Sequence, residues 1–245
     1  MEILNKGGIS HIEVMLSFLI FIGFVIFALY FFSPIQTSRL VESSLSYAFR
    51  EVKINVSVEL ESYSVSLNLT SVIVDTIAVN LSNSLVNANV RAENYLETVV
   101  PSMRDSNNPN IIYFEWADTN YGSGKGFVII KLSEDFEPYS GTVNSTAVDE
   151  DLYGIASSNT VKLISEKRIL ALKDLYIGDY VSLKERFNLP GRVGFGFGLV
   201  FDENDKIEAQ EEVPKGVEVF SDSERVEVLR TNGNIEFADL IVEIW

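Results

Sequence analysis

Hydrophobic residues fill one uninterrupted stretch near the start of the chain. From Val14 to Phe32, nineteen consecutive residues carry no charge. A helix of this length is about 28 Å long, close to the thickness of the hydrocarbon core of a bilayer. A helix inside a soluble domain is rarely apolar on every face over such a length. The pattern therefore predicts a transmembrane helix over residues 14–32.

Apolar residues recur at helical spacing after Pro34, where the continuous run has ended. These residues are Leu40, Val41, Leu45, Ala48 and Phe49. A stripe of this kind is typical of an amphipathic helix that packs on the soluble domain or on neighbouring helices. We therefore expect the N-terminal helix to span residues 9–52.

The period of the pattern changes to two at Lys53, which predicts a half-buried strand. The apolar members of this alternation are Ile54, Val56, Val58 and Leu60. From Tyr63 to Leu69 the alternation continues in the opposite phase. A bulge or bend is therefore expected near Glu61-Ser62.

Similar patterns along the rest of the chain predict a β-rich domain over residues 53–245. The further strands are expected at Ser71–Asn80, Ile111–Trp116, Gly126–Leu132, Thr160–Ile164, Val193–Phe201, Lys206–Glu211, Val217–Phe220, Glu224–Arg230 and Ile235–Trp245. Asp202–Asp205 and Asn232–Asn234 have the composition of hairpin turns, and one short helix is expected over Gly178–Arg186. The predicted fold class is α+β: a long hydrophobic helix followed by a β-sandwich-like, mostly antiparallel exterior domain.

The charge and the composition narrow the classes of function. The formal net charge is −16, and residues 1–34 contribute only Glu2, Lys6 and Glu13 to it. An acidic surface repels phosphates, which argues against nucleic acid as a partner. The chain has no cysteine and one histidine, His11. Cysteine chemistry, a histidine-based triad and a multi-histidine metal site are therefore excluded.

A short leader precedes the apolar run, and it does not resemble an ordinary secretory signal. The apolar run is too long for one and lacks an Ala-x-Ala cleavage site. Met1–Gly8 instead carries Lys6 and ends in Gly7-Gly8. Because glycine has no side chain, extended backbone at Gly8 can enter a narrow protease cleft. Cleavage after Gly8 would make Ile9 the new N-terminus.

The residues Lys6-Gly7-Gly8, followed by Ile9–Glu13 and a long apolar helix, resemble the class III signal peptide of type IV pilins and archaeal pilin-like proteins. The resemblance covers residues 5–50. It implies that a prepilin peptidase cuts after Gly8, and that the retained helix packs with those of other pilin subunits in a filament. Glu13 matches the family's acid at mature position five. Many bacterial members have phenylalanine at the first mature position, where this chain has Ile9. Archaeal members are less restricted at this position, so the resemblance favours an archaeal origin.

The chemistry of Glu13 agrees with that expectation. An unpaired carboxylate at the bilayer edge costs about 2–3 kcal/mol. Cleavage would create an ammonium group on Ile9, which is a natural partner for Glu13 of the same or a neighbouring chain. Such pairing favours one register between neighbouring helices. Glu13 in a plain single-pass anchor would instead be an interfacial acid solvated by water.

Four N-glycosylation sequons lie beyond the helix, at Asn55, Asn68, Asn80 and Asn144. Together they favour an exterior location for the domain, where they are candidate glycosylation sites. Lys6 favours a cytoplasmic N-terminus.

Candidate catalytic or metal-binding groups are sparse in the exterior domain. Three acid clusters occur, at Asp202–Asp205, Glu134–Glu137 and Asp149–Asp151, and none has the spacing of a calcium-binding EF-hand loop. The glycine-rich run Gly194–Gly198 alternates with phenylalanine and lacks a following lysine, which indicates a strand rather than a nucleotide loop.

The sequence thus predicts a structural subunit of a type IV pilus-like surface filament, with the membrane, prepilin peptidase and other pilin subunits as partners and with no cofactor or metal. The exterior domain is large for a major pilin, which favours a minor or adhesive subunit. The expected location is a single-pass membrane protein with an exterior C-terminal domain, and an extracellular filament after processing. The alternative is an unprocessed, single-pass surface receptor or adhesin. A membrane-tethered enzyme with two facing carboxylates is a third hypothesis, and no motif supports it.

Overall fold

Two helices open the fold. The computed structural model describes residues 11–31, 34–68, 75–82, 84–85, 87–116 and 126–245. Helix α1 spans His11–Phe31 and helix α2 spans Pro34–Val56. Gly8 and Ile9, the predicted processing position, lie outside the described residues.

Strands and two further helices make up the rest of the described chain. The strands are β1 (Ser57–Leu67), β2 (Thr76–Asn80), β3 (Asn89–Asn94), β4 (Val99–Val100), β5 (Ser102–Arg104), β6 (Ile111–Glu115), β7 (Phe127–Ser133), β8 (Tyr153–Ser165), β9 (Phe195–Val200), β10 (Lys206–Ala209), β11 (Phe220–Leu229) and β12 (Ile235–Ile244). Helices α3 (Glu166–Gly178) and α4 (Tyr180–Arg186) lie between β8 and β9.

The strands form one large and one small sheet. The nine-stranded sheet has the order β10-β9-β12-β11-β8-β1-β7-β3-β4, and the three-stranded sheet has the order β2-β6-β5. Every pairing is antiparallel except the one between β8 and β11. The prediction of an α+β fold with a mostly antiparallel domain is therefore confirmed, with a mixed main sheet.

Helices cover one half of the large sheet. The stripe of α2 that packs there consists of Leu45, Ala48, Phe49, Val52 and Val56, which recur at intervals of three and four residues and are all buried. Ile169, Leu172 and Tyr176 of α3 join the same core, together with the inward side chains of β9, β11 and β12. The amphipathic stripe predicted for residues 40–49 is thus in contact with its own domain: Leu45, Ala48 and Phe49 are buried, and Val41 is partly buried against the same core.

The small sheet covers the other half. Ile77 of β2 and Phe114 of β6 pack in one core with Val65 of β1 and Ile130 of β7. Two β layers therefore face each other only over this half of the large sheet, because helices take the place of a second sheet over the other half. The structure therefore confirms a mostly antiparallel sheet domain but not a β-sandwich.

Helix α2 extends four residues further than predicted. The strand expected from Lys53 begins instead at Ser57. In a strand, Ile54 and Val56 would share one buried face, but Ile54 is 53% exposed while Val56 is fully buried. Val52 and Val56 lie one helical turn apart and both face the core. The alternation of residues 53–56 fits a strand equally well. Burial of Val56 on the same helix stripe as Val52 therefore determines that the segment is helical.

The phase change in β1 lies close to the predicted place. The register between β1 and β8 shifts between Ser64 and Val65, three residues after the expected bend at Glu61-Ser62. Leu60 and Val65 are both buried but belong to different hydrophobic clusters, and the extra residue at the shift lies in β8 rather than in β1. The predicted alternation ran to Leu69, and residues 69–70 lie outside the described part of the chain.

Other strand predictions differ from the structure at their ends. Val217–Phe220 is not a separate strand, and its residues Val217 and Val219 are 44% and 41% exposed. Phe220 is instead the first residue of β11, which also contains most of the predicted strand Glu224–Arg230. The strand expected at Thr160–Ile164 starts earlier, at Tyr153. Residues 71–74 of the predicted strand Ser71–Asn80 are outside the described chain, and β2 begins at Thr76.

Both predicted hairpin turns are confirmed. The Asp202 side chain accepts hydrogen bonds from the main-chain nitrogens of Asn204 (2.7 Å) and Asp205 (2.9 Å), between β9 and β10. Gly233 joins β11 to β12 with a φ of +86°, a conformation that glycine adopts without strain.

Candidate functional site

Helix α1 is the most unusual surface of the molecule. Its segment His11–Tyr30 is the one helix of the described chain that is long and apolar enough to cross a membrane, by length and composition, and a signal sequence would pass the same test. None of that segment is buried within the structure. Exposure of this much apolar surface to water is unfavourable in free energy.

The exposed side chains lie on every face of α1. They are Ile12, Val14, Met15, Leu16, Phe18, Leu19, Ile20, Phe21, Ile22, Phe24, Ile26, Phe27, Leu29 and Tyr30, with exposed fractions between 36% and 75%. Consecutive residues of a helix point in different directions, so the unbroken run surrounds the axis. An amphipathic surface helix would show a single apolar stripe. Helix α1 therefore requires an apolar environment all round, which lipid or a bundle of like helices can supply.

Glu13 lies in the first turn of α1, and its side chain is exposed. The positive end of the helix dipole is at this terminus, so a carboxylate is stabilised there by about 0.3–1 kcal/mol. The structure thus places Glu13 at the end of the apolar surface, three residues from Leu16. The partner expected from the sequence, the amine of Ile9, falls outside the described residues.

Helix α2 connects α1 to the domain and is held by polar contacts as well as by its buried stripe. The Lys53 ammonium lies 2.6 Å from both carboxylate oxygens of Glu224 on β11. The Asn55 amide nitrogen donates to the carbonyl of Glu51 (2.8 Å), and the Asn55 side-chain oxygen accepts from Arg186 of α4. The last three turns of α2 are therefore part of the folded domain.

The four sequon asparagines have different environments. Asn144 is exposed, in a segment that belongs to neither a helix nor a strand. Asn68 is exposed at the end of β1, and its amide nitrogen donates to the Asp151 carbonyl (3.3 Å). Asn55 and Asn80 are half-buried, and the Asn55 amide is already hydrogen-bonded inside α2. Asn144 is thus the sequon most open to modification.

The acid clusters are used in local structure. Asp205 of the first cluster forms an ion pair with Arg230 (2.8 Å). In the second cluster Glu134 and Asp135 both bind Arg168, at 3.0 and 2.8 Å. The Asp149 side chain in the third accepts from the Asp151 nitrogen (3.1 Å). In the described part of the chain, no three side chains of the metal-binding types come together.

The glycine-rich run forms strand β9, as its alternation predicts. A Cβ atom on Gly196 would lie 3.1 Å from the carbonyl oxygen of Ala209, and one on Gly194 would overlap the indole ring of Trp245. Main-chain hydrogen bonds join Gly194 and Trp245 in both directions, at 2.7 and 3.0 Å. The glycines therefore allow β10 and the C-terminal residue to approach closely.

An aromatic cluster under α3 surrounds the buried hydroxyl group of Tyr176. The Tyr176 hydroxyl donates to the Phe195 carbonyl (2.6 Å) and accepts from the Glu211 nitrogen (3.1 Å). Burial raises the pKa of Tyr176 well above its ordinary value, and burial also raises that of Tyr180. Both hydroxyls thus stay neutral, and they hold β9 under α3 rather than face a ligand.

Comparisons with protein-family models, with curated proteins and with solved structures find no match to this chain.

Proposed function

We propose that this chain is a structural subunit of a type IV pilus-like surface filament, processed by prepilin peptidase after Gly8 and assembled through α1. The observation that carries the proposal is a contrast between two helices that follow each other in the chain: the apolar side chains of one are exposed, and those of the other are buried. Helix α1 exposes apolar side chains on all faces, while the second half of α2 is embedded in the domain.

Assembly would give α1 a succession of apolar environments. Before assembly the helix spans the membrane and the domain lies outside it. In the filament, helices of neighbouring subunits replace the lipid, and close packing between them replaces the contacts with acyl chains. The membrane and the filament are thus two environments for the same surface.

The role proposed for Glu13 follows from its place at the end of that surface. Cleavage after Gly8 brings a positive charge to Ile9, four residues before Glu13. A neighbouring Glu13 carboxylate can pair with this amine only at one axial offset between helices, so the pair selects the register of assembly. The domain of residues 57–245 is large for the major subunit of such a filament, which favours a minor or adhesive subunit.

An unprocessed receptor or adhesin with a single membrane span is the second candidate, because α1 also has the length and composition of a plain anchor. The two candidates differ in where the mature chain is found. Shearing intact cells and separating the released high-molecular-mass material from membranes distinguishes them. A filament subunit appears in the sheared material and disappears from it when prepilin peptidase is deleted. An anchored receptor stays with the membranes in both strains, and this result would contradict the proposal.

A further inference from the structure

The half of the domain that α2 and α3 cover has two ends, and the start of α3 marks one of them. Ser165, which caps α3, pairs with Leu229 at the end of β11. Arg168 in the first turn of α3 donates to the carbonyl of Ser57, the first residue of β1. Helix α2 ends next to Ser57, at Val56. We call this end of the domain, where α2 ends and α3 begins, the top.

The opposite end, which we call the base, contains the corner between α3 and α4. Strands β11 and β12 pair over ten residue pairs, so the last pair, Phe220–Ile244, lies about 30 Å from the top. Tyr176 near the end of α3 donates to the carbonyl of Phe195, which pairs with Ile244. Helix α3 therefore runs from the top to the base, and the chain turns into α4 there.

Helix α2 runs along the same strands in the opposite sense. Val56 is at the top, and Lys53 binds Glu224 partway along β11. Val41 lies about 22 Å along the helix from Val56 and is partly buried against the core beneath α2 and α3. The first turns of α2 are therefore near the base.

The base is consequently close to the end of α1. Seven positions separate Val41 from Pro34, the first residue of α2, a rise of about 10 Å. Pro34 follows Phe31, the last residue of α1, by three positions, which span at most about 11 Å. Whatever the angle between the two helices, Val41 lies within about 22 Å of the end of the apolar segment.

The base exposes apolar side chains. Ile177 and Val181, on either side of the corner between α3 and α4, are 71% and 65% exposed. Val217 and Val219, just before β11, are also exposed. Trp245, which follows β12, is partly exposed at the same end. Indole rings favour the boundary between lipid and water.

The charged groups of the base are mostly acidic. Segments 177–182, 190–194 and 211–219 form this end of the domain. Their charged residues are Asp179, Arg192, Glu211, Glu212, Lys215 and Glu218. Four acidic groups against two basic ones are repelled by an anionic membrane surface. A contact between the base and lipid would therefore depend on the apolar side chains and favour a neutral bilayer.

The space below the base limits what can cover these side chains. When α1 spans a bilayer, headgroups extend about 5–8 Å beyond the hydrocarbon at its end. The gap left below the base is then at most about 15 Å wide. A folded domain of 100 residues has a radius of gyration of about 13 Å and is therefore wider than this gap. Lipid can reach the base, whereas a globular partner does not fit.

We propose that the base contacts the membrane surface and inserts Ile177 and Val181 into the headgroup boundary of a neutral bilayer. The contact would give the domain a second attachment beside α1 and thereby set its tilt on the membrane. This inference rests on the part of the proposed function in which α1 spans the membrane. It depends neither on cleavage after Gly8 nor on filament assembly.

The two tryptophans of the chain allow a direct test. Trp245 lies at the base, whereas Trp116 is buried in the core of the small sheet. The full chain is reconstituted in phosphatidylcholine vesicles with and without lipids brominated near the headgroup, because bromine quenches only nearby indoles. Wild-type emission should fall by about a third or more. The emission of W245F, which retains only Trp116, should fall by less than about a tenth.

Variants of the corner then test the proposed side chains. I177S/V181S should reduce the quenching of Trp245 about threefold, because membrane contact scales with the apolar area buried. I235S, the same kind of change at a side chain that is 42% exposed at the top, should leave the quenching unchanged. Near-ultraviolet circular dichroism checks that the variants are folded. Anionic lipid in the vesicles should weaken the quenching in the wild type.

An alkaline carbonate wash of the vesicles separates failure of this inference from failure of the membrane span. A chain that is retained with Trp245 unquenched overturns the base contact alone. Equal quenching in wild type and I177S/V181S also overturns it, since the proposed side chains would not carry the contact. A chain that the wash releases contradicts the membrane span of α1, and the base contact fails with it.

Discussion

Arg168 of α3 donates a hydrogen bond from Nη1 to the main-chain carbonyl oxygen of Ser57, at 2.7 Å. Ser57 is the first residue of β1, so the bond lies at the junction of helix α2 with strand β1. The same guanidinium binds Asp135 and Glu134 at 2.8 and 3.0 Å. One side chain thus joins α3, the junction of α2 with β1, and the acid cluster after β7.

Replacing Arg168 should destabilise the domain more than replacing an ordinary surface cation. R168M leaves Asp135, whose side chain is 12% exposed, without its ion-pair partner. Since the Arg168 side chain is itself 32% exposed, we expect a loss of about 1–3 kcal/mol in the free energy of unfolding. K206M, which breaks an ion pair between side chains that are 50% and 49% exposed, should change it by less than about 0.5 kcal/mol. Chemical denaturation of the full chain in micelles measures both, and equal effects would contradict this role of Arg168.

The buried stripe of α2 should carry more stability than its exposed face. F49A removes a ring that is 8% exposed within the helix-covered core and should cost about 3–5 kcal/mol. I54A, on the same helix, removes a side chain that is 53% exposed and should cost less than about 1 kcal/mol. Thermal unfolding followed by near-ultraviolet circular dichroism compares the two. Similar losses would show that α2 is not anchored through this stripe.

Acidification should loosen the turn between β5 and β6. The Asp105 carboxylate accepts a hydrogen bond from the Tyr113 hydroxyl and others from the nitrogens of Asn108 and Asn107, in this order of effect, and they lower the pKa of Asp105 below its ordinary 3.8. A lowered pKa in the folded state means that the stabilisation is present above the unfolded value and is lost as the pH falls through the folded one.

Hydrogen exchange in residues 105–111 should therefore be slow at neutral pH and, after correction for intrinsic rates, accelerate below about pH 4. In D105N, which cannot ionise, the corrected protection should be weaker at neutral pH and should not change over this range. An unchanged pH response in D105N would assign the effect to another group.

The local pattern of the sequence predicts those elements in which the buried residues recur at the period of the helix or strand itself. The apolar run gives α1, and the turn residues at Asp202–Asp205 and Asn232–Asn234 give two hairpins. Helix α3 could also have been found, because Ser165 caps it by accepting from the Arg168 nitrogen (3.3 Å) and its buried residues Ile169, Leu172 and Tyr176 recur every three or four positions.

Other features depend on contacts that are distant in the sequence. The end of α2 at Val56 is set by packing against β11 and β12, which begin more than 160 residues later in the chain, so the local alternation from Lys53 misplaces it. The parallel pairing of β8 with β11, limited to two residue pairs, leaves no local pattern in the sequence. For the predicted assembly site, the sequence supplies Gly8, Ile9 and Glu13, and the structure adds the exposed surface of α1 that follows them.

Removing the Glu13 carboxylate should impair assembly and spare insertion. In E13A the apolar surface of α1 is intact, so the chain should reach the membrane in normal amounts. Incorporation into sheared filaments should fall by about tenfold or more, because the proposed pair with Ile9 is lost. E42A, which removes an exposed carboxylate of α2, is the matched control and should assemble normally. Normal incorporation of E13A would contradict the role proposed for Glu13.

The N-terminal residue of the native protein, measured by mass spectrometry on membranes and on sheared surface material, tests processing and assembly most directly. Cleavage by prepilin peptidase predicts a chain that starts at Ile9 in the sheared material, with the leader Met1–Gly8 removed and α1 retained. A chain that starts at Met1 in both fractions would contradict it and would leave an anchored surface protein with Glu13 as an interfacial carboxylate.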